Sequence, residues 1–173
     1  MPDEKGVSSI SDVFSRPRAE YGDEYEEHLL QQYVLYVQMA DHVSDRRSLA
    51  NTFFLTANTI ILSALGVITA IFPAQLIAGG VIAFIASVTP ILLCYAWLRI
   101  VKSYQQLNSG KFAVIHEVEK KLPLALYKAE WAALGEGKHP ETYKPLTDVE
   151  KWVPVTFMAL YLIIAVAAFF RGV

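Results

Sequence analysis

Three long apolar stretches constrain this chain before anything else does. They run over Thr52–Phe72, over Leu76–Val101 with no charge before Arg99, and over Val153–Phe170. A helix needs roughly 20 apolar residues to cross a hydrocarbon layer of ~30 Å. Core helices of soluble domains are rarely so long and so free of charge. The expectation is an all-α integral membrane protein with transmembrane helices over 52–72, 76–101 and 152–171.

The remaining residues carry nearly all the charge, and it is segregated. Residues 1–50 hold ten Asp and Glu against five Lys and Arg, and residues 99–151 hold nine Lys and Arg against seven Asp and Glu. A net charge of −2 gives no reason to expect nucleic acid as a partner. The first residues, MPDEKGVSSISDVF, lack the basic start and apolar core of a signal peptide, so the first span is expected to direct insertion. Positive residues cluster at one side of the membrane: Arg46 and Arg47 before span one, Arg99 and Lys102 after span two, Lys144 and Lys151 before span three. The turn Pro73-Ala74-Gln75 has none. This predicts a cytoplasmic N-terminus and an external C-terminus.

Outside the spans, residues 1–22 read as a flexible acidic tail. Residues 23–50 read as an amphipathic helix with Leu30, Val34 and Val37 at three- and four-residue steps, running without Pro or Gly into span one. Its polar positions carry Glu24, Glu26, Glu27, Asp41 and Asp45. Anionic headgroups would repel these, so its apolar face is expected to pack on protein. The segment 102–151 reads as short helices. The first continues span two and stops near Asn108-Ser109-Gly110, the next carries Phe112, Ile115, Val118 or Glu119, and Leu122, and a third runs from Pro123 to Gly135. Thr147 or Asp148 is expected to cap the helix that becomes span three. Together these cytoplasmic helices are expected to form a collar. Pro90 is expected to kink span two.

Within span one, Thr52, Thr56, Thr59, Ser63 and Gly66 recur at steps of four and three, with Asn51 and Asn58 beside them. Small and hydroxyl residues on one face let helices approach closely and bond across, so this is a helix-packing face or, on the sharper reading, the wall of a lumen. No acid or base sits mid-span to mark an ion path. Near the membrane boundary Asp41, Asp45, Arg46, Arg47 and Glu130 are candidates for a structural ion-pair set, with Glu117, Glu130 or Asp148 as partners for a buried arginine.

No catalytic, cofactor-binding or metal-ligating set is legible. His116-Glu117 begins like a zincin helix, but Lys120 stands where the second histidine belongs. Cys94 is single, so it can form neither an intrachain disulfide nor a cysteine metal site, and reads as a packing residue. Glu117, Glu119 and Glu130 beside Lys120, Lys121 and Lys128 read as a solvated helix face.

The strings YVLYVQMADHVSDRRSLANTFFLTANTIIL, SYQQLNSGKFAVIHEVEKKLPLALYKAEW and YKPLTDVEKWVPVTFMALYLI resemble the RipA-like family of small bacterial membrane proteins over roughly residues 25–165. Positions carrying the resemblance include Asp41, Arg47, Asn51, Asn58, Trp97, Glu119, Pro123, Tyr127, Trp131 and Pro154. The resemblance implies a homo-octamer in the bacterial cytoplasmic membrane, with itself and lipids as partners, and no assigned activity. The reading is therefore a homo-oligomeric scaffold or regulatory membrane protein, not an enzyme. An oligomeric channel or pore-forming effector is the alternative.

Overall fold

In a computed structural model, residues 13–71, 81–139 and 141–171 are described. Among these the structure is helical, without strands. The helices are α1 (Arg18–Tyr21), α2 (Tyr25–Ile71), α3 (Val81–Glu119), α4 (Leu126–Ala133), α5 (Leu146–Glu150) and α6 (Trp152–Arg171), with a 3-10 turn at Gly135–Gly137. The Pro73-Ala74-Gln75 turn and residues 1–12 lie outside the described residues.

Between Tyr25 and Gly66 there is neither Pro nor Gly, and α2 is accordingly one helix through both the amphipathic stretch and the first apolar stretch. α3 is also longer than its sequence predicts. It keeps Pro90 inside and passes through Ser109-Gly110, where a stop is expected. A helical glycine costs only about 1 kcal/mol relative to alanine, and Ser109 satisfies its hydroxyl within the helix, on the carbonyl of Gln105 at 3.0 Å. Within the stretch read as a flexible tail, residues 13–22 carry α1, an Arg18–Glu26 ion pair and the Phe14 ring beneath the Lys121 ammonium.

The chain divides into two compact units, Met1–Asp45 with Gln105–Lys144, and Arg46–Tyr104 with Pro145–Val173. In the first, Ala40, Val43 and Ile115 are buried. In the second, Phe54, Trp97 and Val101 form a core flanked by Leu93, Ile100 and Phe157, with the Phe54 and Trp97 rings stacked at 5.7 Å.

Two described helical segments are long and apolar enough to cross a membrane, Tyr25–Ile68 and Leu146–Ala167. Only 11% of the apolar window of each is buried. A soluble core helix of that length would be mostly covered; these leave their apolar sides outward, as lipid-facing helices do. The remaining apolar stretch, 76–101, begins outside the described residues.

Candidate functional site

The second unit is held by three polar junctions. In the first, α5 is a single turn that sets Thr147 and Glu150 three residues apart on one face. Both meet Arg47 of α2: its Nε donates to Glu150 Oε2 at 2.9 Å, and its Nη2 donates to the same oxygen and to Thr147 Oγ1, the latter at 2.7 Å. The Arg47 and Glu150 side chains are 12% and 18% exposed, so this pair is largely shielded from water. The partner is thus Glu150, not Glu117, Glu130 or Asp148. Asp148 sits one position round the turn and accepts from Lys151 at 2.7 Å. Asp41, Asp45, Arg46 and Glu130 are exposed, with Asp45 3.8 Å from His42.

The second junction is Trp97, whose indole N–H donates to Asn51 at 2.8 Å. The third centres on Asn58, which is 0% exposed. Its amide donates to the Phe54 carbonyl at 2.8 Å, its oxygen accepts from Cys94 Sγ at 3.1 Å, and its carbonyl accepts from the Tyr161 hydroxyl at 3.0 Å. Side chains from α2, α3 and α6 therefore share one buried node, and Cys94 is a donor as well as a packing residue. Asn58 departs from the stripe it was grouped with: Thr52, Thr56, Thr59, Ser63 and Gly66 are exposed on the protomer. A Cβ added at Gly66 would meet nothing within 4 Å.

The first unit is organised by Glu119, which is buried and not on a solvated face. Its carboxylate accepts the backbone N–H groups of Tyr127 (2.9 Å) and Lys128 (3.1 Å), satisfying two open donors in the first turn of α4. The cap is needed because the preceding residue, Ala125, offers no side-chain acceptor. The Tyr33 hydroxyl donates to the same carboxylate at 3.2 Å. Burial, then the adjacent Glu119 charge, pushes the Tyr33 phenol up to about 12. Tyr127 is raised by burial and by Asp41, Glu130 and Glu119. Beside this node lies a cavity of about 320 Å³ lined by Phe14, Tyr21, Tyr25, Tyr33, Tyr36 and Val118 among others. Lys111, also buried, sets its ammonium 4.6 Å from the centre of the Tyr36 ring. Among the described residues no group of three or more His, Cys, Asp or Glu side chains could hold a metal ion.

A sequence model of the octameric membrane protein family (8xMP) matches residues 30–170. The chain belongs to that family. The match takes in α2 from Leu30, all of α3, α4 and α5, and nearly all of α6. Membership makes this a membrane protein, and the family's octameric description makes it a self-associating one. Comparison with curated proteins and with solved structures gives no match.

Proposed function

We propose that this member of the octameric family is a RipA-like, non-catalytic scaffold or regulatory protein of the bacterial cytoplasmic membrane. It crosses the membrane three times, N-terminus inside and C-terminus outside, and its segments 23–50 and 102–151 form a cytoplasmic collar. The observation that carries the reading is the Asn58–Cys94–Tyr161 node. Each apolar stretch contributes one member to it, which supports counting the stretch 76–101 as a span beside the other two. Bonds between polar side chains of different helices are how membrane bundles are specified when lipid is as apolar as leucine.

The test is topological. In a Cys94→Ser background, a cysteine at Gln75 is expected to react with an impermeant thiol reagent added to intact cells, and one at Lys138 is not. Labelling at Lys138 would reverse the orientation; protection of Gln75 would remove the hairpin from the outer surface. The second reading, a channel, is favoured by one observation: Thr52, Thr56, Thr59 and Ser63 face away from the protomer's interior, where a lumen would need them.

A further inference from the structure

The stretch 25–45 of α2 has four distinct sides. At about 100° per residue, Leu29, Tyr33, Tyr36, Ala40 and Val43 share one side, and all five are half-buried or buried, as are Tyr25, His28 and Val37 nearer its edges. Leu30 and Val34 flank it on one hand, 53% and 46% exposed. Leu35 and Met39 flank it on the other, 58% and 49% exposed. Opposite the buried side run Gln31, Gln38, His42 and Asp45, all exposed.

Hydrocarbon does not cover the two apolar flanks, because Glu26, Glu27, Gln32 and Asp41 share the stretch with them and would be stranded there. The family is octameric, so the occupant is a second copy of the chain. The flanks also differ in composition. A two-fold contact uses one self-complementary patch, whereas a head-to-tail contact uses two unlike patches and closes into a ring when the angle allows. Measured across the polar side at 100° per residue, the flanks diverge by about 140°. The two neighbours of any member of a closed eight-fold ring subtend about 135° on the side facing the axis.

Building on the oligomeric reading above, we propose that Leu30 and Val34 of one copy pack against Leu35 and Met39 of the next, so that residues 25–45 form the inner layer of an eight-fold ring. Gln31, Gln38, His42 and Asp45 then face the symmetry axis. At ordinary helix separations the helix axes stand roughly 10–13 Å from that axis, leaving a polar, water-filled centre.

Cysteine cross-linking tests this in the full chain, in its own membrane, on a Cys94→Ser background. Val34→Cys with Met39→Cys, oxidised with copper phenanthroline, is expected to give a ladder of covalent species reaching eight copies, and each single variant to remain monomeric on denaturing gels. Dimers from Val34→Cys alone would overturn the ring in favour of a two-fold contact. A monomeric double variant that still has the mass of eight copies in mild detergent would place the interface elsewhere. A wild-type chain that is monomeric in the same detergent would instead sink the oligomeric reading on which the ring rests. Opposite charges introduced at the two positions give a second route that needs no disulfide. Val34→Asp and Met39→Lys are each expected to break the assembly and together to restore it; failure to restore, with both variants folded, counts against the pairing.

Discussion

Arg47 and Glu150 lie 103 positions apart in sequence, and removing either leaves the other charged and largely shielded from water without its ion-pair partner. Loss of one partner from a buried pair costs about 3–5 kcal/mol, while an exposed pair is worth under about 1 kcal/mol. Arg47→Ala is therefore expected to lower thermal stability by the larger amount. A double-mutant cycle with Glu150→Ala should show strong coupling; small additive effects would retire the buried pair. Tyr33 gives a pH signature of its own. Its phenol ordinarily titrates near 10 and is pushed up to about 12 in the folded chain. Below the ordinary value both states keep the proton and the interaction contributes fully. As pH rises through that window the unfolded chain releases the proton first, so stability falls. Phenolate absorbance should show late-titrating tyrosine in the wild type, and its amplitude should fall by one phenol in Tyr33→Phe while the raised Tyr127 remains. Sequence made the arginine visible as a candidate but not its acid, because Thr147 and Glu150 converge only once α5 forms. Glu119 carried a better signal: it lies four residues after Ile115 and eight after Lys111, on the face that is buried at both. Alternating lysines masked it, since a cap serving a helix further along leaves no local mark in the chain.

At the scale of elements, the long helices are legible wherever breakers are absent and misread wherever a breaker is tolerated. α2 follows from an uninterrupted run of helix-compatible residues; α3 does not, because Ser109-Gly110 reads as a terminus although the buried Lys111 and Ile115 just beyond it continue the helix inward. The end of α4 is the converse case, expected at Gly135 and found immediately before it. Leu134 donates back to the Glu130 carbonyl, and Gly135 then turns into the left-handed region at φ 68°. The positive φ demands glycine, and a Cβ there would in addition stand 2.9 Å from the exposed His139 ring, which would have to shift. Gly135→Ala is expected to destabilise the chain by about 1 kcal/mol or more in thermal unfolding. Gly110→Ala, with open space around its Cβ in the protomer and a helical backbone, should be neutral or stabilising. Equal effects of the two substitutions would contradict this account of where the glycines are required.

At the scale of the whole molecule, what separates a scaffold from a channel is where the hydroxyl stripe of α2 faces once copies assemble. On the protomer Thr52, Thr56, Thr59 and Ser63 are uncovered, while the amide that could have strengthened a lumen, Asn58, is buried with its nitrogen and its oxygen both hydrogen-bonded. The Thr59 hydroxyl is itself returned to the Leu55 carbonyl at 2.8 Å, which lowers its capacity to replace the hydration shell of an ion. Selective conduction draws on charged rings, carbonyl rings or a hydrophobic gate. The stripe carries no charge, and its small residues suit close contact between helices. Purified protein in planar bilayers is therefore expected to give no steady, selective current. If unitary currents do appear, Thr59→Val should alter them by removing a lining hydroxyl, and Asn58→Leu should abolish them together with the fold by breaking the node that joins the three apolar stretches. Reproducible currents with that pattern would make the channel the function and the scaffold its frame.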